Sequence, residues 1–528
     1  MENIDKSTET ESKIKENKSS SNTKRIAKNT IMLYFRQILI MLVSLYTVRV
    51  VLNVLGAEDY GIYNVVAGVV TMFSFLSGAM ATASQRYFSF DLGKGDSEHL
   101  KTTFSVTFQI YVLLAFVVIL LAETVGLWFV NHKLVIPAER MTAANWIFQA
   151  AIVSFLLTLI TTPYMASIIA HENMNVYAYV SIIEAGLKLG IVFLLKVLPY
   201  DKLIVYGLLL AAVAFINTSI YRFYCHNHYE ECKFRFVKDG KLFKEIVSYS
   251  GWNLFGASVG VAKNQILNIL LNINFGAIVN AARAVSSQVN TAVVSFSQNF
   301  STALRPQIIK AYAAEKKEEC MSLVFRGCKF TFYLMYVFAL PLVLEMNIVL
   351  KVWLKNPPEY AVIFTCLALI DAVVDSISYP LMTLAQATGK IKLYQGVVGG
   401  VLLCNLPVSY IALKLGAPAY SVMIISVCMT FLAFVLRLFI VKRLTSMSIV
   451  QFLLKTALPC MVVSIISAVV PCFIRIKLYE GWGSFFFVIF ISVLCTSLSV
   501  LFIGMSKIER KAVFTKLKAK FIRGTDEN

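Results

Sequence analysis

Six basic side chains, Arg36, Arg49, Lys188, Lys263, Arg283 and Arg437, interrupt stretches that otherwise read as lipid-soluble helix. A cation near the bilayer centre costs roughly 2.5–3.5 kcal/mol on insertion scales, so a chain that keeps several points to a water-filled cavity and to an anion held there. Arg36 is followed by Gln37, and Lys263 by Asn264 and Gln265. Arg283 sits in the most polar of these stretches, with Gln288 and Asn290 further along it. A helix of that polarity cannot face lipid all round; it lines a cavity or hydrogen-bonds to its neighbours. Arg36 lies about seven residues into the first stretch, roughly 10 Å from its inner end. Arg49 is about 220° further round the same helix, which suits a residue of the outer interface or an outer gate.

Acidic groups are also found at depth. Asp371 and Asp375 are i,i+4 neighbours on one helical face, which suits either a coupling site for H+ or Na+ or a structural pair with a buried cation such as Lys263. Glu184 and Lys188 share the same spacing in the favourable order and read as a self-neutralising pair, with a gate or ion-coupling role as the functional alternative. Cys225, His226, His228 and Cys232 cluster in a polar segment, but their spacing matches no usual zinc pattern, so neither a metal nor another cofactor is expected. There is no nucleophile–base arrangement and no phosphate-cradling glycine loop, so an enzyme is not indicated.

The elements that position these groups are hydrophobic spans. The chain has 528 residues, of which 58% are hydrophobic and 15% charged, and its mean hydropathy is +0.70. Those values place it outside soluble globular proteins. Apolar runs of membrane-spanning length fall at 29–55, 61–84, 104–130, 144–170, 175–197, 203–224, 246–271, 276–300, 320–346, 361–385, 393–413, 419–441, 450–473 and 482–504. The expected fold is therefore an all-α polytopic membrane protein with about 14 transmembrane helices. Residues 1–28, rich in Ser, Asn, Lys and Glu, are expected to form a disordered tail. Most of the 49 basic residues fall in the tails and in alternate loops, which puts both termini in the cytoplasm. The net charge of +19 is spread in this way over many short loops, and no nucleic-acid partner is expected. The ten cysteines show no framework spacing.

Weak internal repetition divides the spans. Leu52-Asn53 is matched by Leu271-Asn272, and Arg86 and Arg305 follow at equal distances. Two six-helix lobes in a pseudo-twofold arrangement are expected at 29–224 and 246–441, with substrate between parallel repeats. An amphipathic cytoplasmic linker at 225–245, an additional helix pair at 450–504 and a basic cytoplasmic tail at 505–528 complete the expected organisation. Phe234 and Phe236 alternate with Lys233 and Arg235 in the linker, and Ile508, Val513, Leu517 and Phe521 share a face in the tail, as in segments that lie on an anionic leaflet.

The turn Leu55-Gly56-Ala57-Glu58-Asp59-Tyr60-Gly61-Ile62-Tyr63, the segment Ser84-Gln85-Arg86-Tyr87 leading to Leu92-Gly93-Lys94-Gly95-Asp96, and Leu304-Arg305-Pro306 carry a family resemblance. With them the chain, from about Lys24 to Lys507, resembles bacterial polysaccharide biosynthesis membrane proteins. These are the O-antigen and capsule repeat-unit flippases of the multidrug/oligosaccharidyl-lipid/polysaccharide exporter superfamily. The resemblance implies a two-lobed, twelve-span core in the cell inner membrane, with two added spans in many members. It implies movement of undecaprenyl-pyrophosphate-linked oligosaccharide between leaflets by alternating access. Arg36, Lys263 and Arg283 would then be the basic set for pyrophosphate, with a polysaccharide polymerase and a chain-length regulator as further partners. Two other readings share this architecture. A multidrug exporter of the same superfamily would need an acidic cavity for organic cations, whereas the charge in these spans is basic. A non-transporting scaffold of a polysaccharide-assembly complex is the other.

Overall fold

In a computed structural model, residues 2–134, 136–479, 481–507 and 509–510 are described, and no strand occurs among them. Helix α1 (Glu2–Thr71) is broken at Gly56, whose φ of 82° lies in the left-handed region that a side chain disfavours. This is the turn expected between the first two spans. Most of the tail expected to be disordered, residues 1–24, lies outside the residues whose side chains are described.

After α1 come α2 (Ser74–Lys94), α3 (Ser97–Leu121), α4 (Leu127–His132), α5 (Met141–Ala170), α6 (Met174–Val197) and α7 (Lys202–His228). Next are α8 (Gly240–Phe275), α9 (Ala277–Ala313), α10 (Lys317–Leu354), α11 (Ala361–Ser376) and α12 (Tyr379–Ala387). The chain ends with α13 (Ile391–Lys414), α14 (Ser421–Thr445), α15 (Ile449–Phe452), α16 (Leu458–Lys477) and α17 (Trp482–Ser499). Among the described residues, 12 helical segments are long and apolar enough to cross a membrane. The count is 13 if Glu58–Thr71 and Ser74–Lys94, bent by 44°, form one span. The remaining expected span is α9, a helix of 37 residues. It is about 55 Å long but too polar to pass as a span on composition alone. This is a multi-pass membrane protein.

The helices cluster into two compact units. The first comprises the chain to Ala257 together with Thr302–Lys316, and the second comprises Ser258–Ser301 and the chain from Lys317. The sequence pattern placed the boundary in the linker 225–245; the packing division falls instead inside α8 and α9. Within unit 1, α5 packs on α7 and α1 on α6. Its core includes Val66, Ile147 and Phe148 in one cluster and Phe88, Phe104 and Tyr164 in another. Within unit 2, α13 packs on α14, α10 on α11, and the added pair α16 and α17 on each other and on α10. Leu267, Met335 and Phe364 are buried in its core. Large apolar side chains such as Phe116, Phe215, Phe439 and Phe490 are more than half exposed, as lipid-facing surfaces require.

In the linker, an extended strand-like run precedes α8 and lies along α3, with Ser105 Oγ accepting from the Arg235 N–H at 3.2 Å. Gln109 donates to the Val237 carbonyl at 3.2 Å. Phe236 remains exposed. Ile508, Val513, Leu517 and Phe521 of the expected interfacial tail lie outside the described residues.

Candidate functional site

In unit 1, α1 and α6 run side by side and bring Arg36 onto Tyr177 and Ser181. The Arg36 guanidinium carbon lies 4.5 Å from the Tyr177 ring centroid, and Nη1 donates to Ser181 Oγ at 3.4 Å. Its Nε is buried without an acceptor. No carboxylate pairs with Arg36 among the described residues, so the charge is cushioned by an aromatic face and a hydroxyl but not neutralised. Gln37 beside it is half-buried. Tyr177 and Ser181 were not singled out from the sequence. Their signal was the spacing Tyr177, Ser181, Glu184, Lys188, which runs one polar stripe along a helix.

The far end of that stripe is closed electrically. Lys188 Nζ lies 2.6 Å from Glu184 Oε1, and Asn217 on α7 donates to Glu184 Oε2 at 3.1 Å. Arg49 is exposed on α1.

In unit 2, the turn at Gly276 folds α9 back on α8 and places Arg283 against two amides of that helix. Arg283 Nε donates to Asn268 Oδ1 at 2.5 Å, Nη2 to Asn264 Oδ1 at 3.3 Å, and Nη1 meets Met423 Sδ of α14 at 3.0 Å. Its direct partners are thus neutral atoms. Asn290, seven residues on, returns to the same face of α9, and its Oδ1 is buried without a partner, as is that of Asn280. Gln288 is exposed and about 140° round the helix from Arg283.

The two aspartates of α11 divide. Asp375 Oδ1 accepts from Arg437 Nη1 of α14 at 2.6 Å, with Arg437 only 9% exposed. Asp371 has Thr430 beside it, and the charges acting on it are those of Lys263, Asp375 and Arg283; its Oδ1 is buried without a partner. Within unit 2, then, the charges of Lys263 and of Arg283, which holds Asn264, both reach Asp371. Asp375 is committed to Arg437, whereas the sequence suggested Lys263 for either aspartate.

Of the cysteine–histidine cluster only the two cysteines come together. Cys225 and Cys232 are buried against the Tyr164 carbonyl and Ser167 Oγ, each at 3.5 Å. His226 is exposed, and His228 stacks on Tyr224 at 4.2 Å. Among the described residues no group of three metal-type ligands forms. The repeat-matched arginines do share surroundings in unit 1. Arg86 lies over the Tyr87, Phe90 and Tyr249 rings, and Arg305 donates to Gln85 Oε1 at 3.2 Å.

The fold is thus all-helical and membrane-spanning, in two compact units. The model of the polysaccharide biosynthesis protein family matches residues 26–311. The chain belongs to that family. Its fold is similar to an outward-facing multidrug resistance MATE family transporter of the MOP superfamily, with a TM-score of 0.69 at 12% identity over 80% of this chain and 96% of that one. A MATE transporter in its bent conformation gives the same values. A variant of the Vibrio cholerae MATE transporter VcmN gives a TM-score of 0.62 at 15% identity, over 80% and 97% of the two chains. Comparison with curated proteins returns no significant match.

Proposed function

We propose that the chain is a flippase that moves undecaprenyl-pyrophosphate-linked oligosaccharide repeat units across the bacterial inner membrane by alternating access. The observation that carries this reading is the setting of Arg36, within the first span, and Arg283, in the second turn of α9: each is hydrogen-bonded only by neutral atoms. Such guanidiniums retain the charge and donors that a diphosphate needs. Asn264, Asn280 and Asn290 supply amides suited to sugar hydroxyls, and Lys263 adds a third cation, whose charge reaches Asp371. On this reading Asp371, with an unpartnered buried oxygen, is the site that H+ or Na+ occupies to drive the cycle. Both termini are cytoplasmic, and a polymerase and a chain-length regulator act on the product for O-antigen or capsule.

A multidrug exporter is the second reading, favoured by the same carboxylate, which would attract an organic cation. The test is surface polysaccharide output and drug susceptibility in cells carrying Arg36→Ala, Lys263→Ala or Arg283→Ala at wild-type membrane levels. The flippase reading expects polymer to fall sharply in each variant with drug susceptibility unchanged. Normal polymer from all three variants removes it. Reconstituted protein that fails to flip labelled lipid-linked oligosaccharide in liposomes would make it a scaffold instead.

A further inference from the structure

A cavity of about 750 Å³ opens in unit 2 between the first turns of α10, the start of α16 and the chain leaving α17. Four cations, Lys317, Arg326, Lys329 and Lys455, line it against two carboxylates, Glu318 and Glu509. Glu509 is fully engaged. Its oxygens meet Arg326 Nε and Lys329 Nζ, each at 3.2 Å, and accept the Ser506 N–H at 2.8 Å. Burial opposes its ionisation, but the Ser506 N–H and Lys329 hold its carboxyl below the ordinary range. Lys317 and Lys455 are exposed, and among the described residues neither has a partner, so the cavity carries excess positive charge.

Two π-helical turns shape its walls, Leu453–Ala457 with Lys455 and Val500–Gly504. Such widened turns are frequent at functional sites. Gly504 has no room for a side chain, since a Cβ there would lie 2.8 Å from the Tyr333 ring. Its carbonyl accepts from Lys329 at 3.3 Å and from the Tyr333 hydroxyl at 3.4 Å. The apolar part of the lining, Met321, Phe325 and Ile503, adjoins a flank of exposed apolar side chains, Leu454, Leu458 and Phe502. A soluble anion would need the cations but not this flank. The following segment, 511–528, is itself rich in lysine and would be repelled.

We propose that this cavity binds the phosphate headgroup of an anionic phospholipid, with the acyl chains lying along Leu454, Leu458 and Phe502. Basic pockets between transmembrane helices hold lipid phosphates in this manner. The site is separate from the cations assigned to transport.

The test uses the full chain purified in detergent, with lipid binding followed by native mass spectrometry. The probes are phosphatidylglycerol, phosphatidylcholine and inorganic phosphate. Phosphatidylglycerol is expected to bind more tightly than phosphatidylcholine. The double variant Lys317→Gln/Lys455→Gln should weaken it about thirtyfold, at about fivefold per surface lysine. Lys317→Arg/Lys455→Arg should retain binding, and Lys414→Gln, elsewhere on the unit, should have no effect. Unchanged phosphatidylglycerol binding in the glutamine pair overturns the proposal. So does inorganic phosphate binding as tightly as the lipid, which would make the cavity a site for a free anion.

Discussion

Replacing each aspartate of α11 by asparagine should have opposite consequences, because only one of them is committed to a partner. Asp375 accepts from Arg437 at 2.6 Å, with the arginine 9% and the aspartate 35% exposed. Removing one member of a fully buried pair costs about 3–5 kcal/mol, whereas an exposed pair contributes about 0.2–1 kcal/mol. With one partner buried and the other a third exposed, Asp375→Asn should cost about 2 kcal/mol. No second carboxylate is at hand to replace it: the other groups acting on Arg437 are the Tyr394 and Tyr379 hydroxyls, and its Nε already lacks an acceptor. At 2–4 °C per kcal/mol for a unit of about 250 residues, the melting temperature in detergent should fall by about 4–8 °C. Arg437→Gln added to Asp375→Asn should recover part of that loss, since no charge is then stranded. Asp371→Asn removes a carboxylate whose Oδ1 has no partner, and the lost attraction to Lys263 and Arg283 is offset by relieved repulsion with Asp375, so stability should stay within about 0.5 kcal/mol of wild type. Its effect should appear in liposomes, where flipping becomes insensitive to an imposed proton or sodium gradient. The reasoning fails if Asp375→Asn melts within 1 °C of wild type, or if Asp371→Asn loses as much stability as Asp375→Asn.

The carboxylate of Glu172 is buried between Arg25 at 2.7 Å and Lys310 at 2.9 Å and accepts from Gln307 at 2.9 Å; Glu172→Gln should cost about 3 kcal/mol, and a melting point equal to wild type would show that the cluster does not stabilise unit 1. At Glu231, burial opposes ionisation, but His171 at 2.6 Å and nearby hydrogen bonds hold the carboxyl below its ordinary value of 4.5. The folded state therefore favours the ionised form: this stabilisation is complete above pH 4.5 and is lost as pH falls through the lower folded value. Glu231→Gln should flatten that acid limb of the melting-temperature profile, and an unaltered limb would contradict the assignment. Cysteines introduced at Lys133, Asp201 and Lys355 should react with an impermeant thiol reagent outside intact cells, and those at Lys94, Lys238 and Lys316 should not; outside labelling at Lys238 would reverse the orientation.

Much of this architecture is legible along the chain because a bilayer imposes one strong rule: backbone polar groups in lipid must be paired locally, so spans appear as long apolar helices. The stretch 276–300, expected as a span, forms α9, whose polar residues Asn280, Arg283, Ser287 and Asn290 keep it below the hydropathy of the other spans. The self-pairing of Glu184 with Lys188 is a local event at i,i+4 and was visible for that reason. Which cation neutralises Asp375 depends on α14 packing against α11, a contact between positions 62 residues apart that no helical periodicity encodes. The same holds for Tyr177 under Arg36 and Asn268 under Arg283, where a residue's partner is set by which helix faces it.

Residue types and spacing alone thus determined that this is an all-helical membrane protein, that its deep charge is mainly basic, and that Arg36, Lys263, Arg283 and the pair Asp371 and Asp375 are among the groups to examine. Tertiary structure decided which of those charges are already spent. It committed Asp375 to Arg437 and left Arg36 and Arg283 among neutral partners. It also cut the chain inside α8 and α9, where the sequence suggested the linker. The physical reason is range: hydropathy and helical period act over one or two turns, whereas charge compensation in a low-dielectric interior is settled by side chains that only folding brings within about 3 Å.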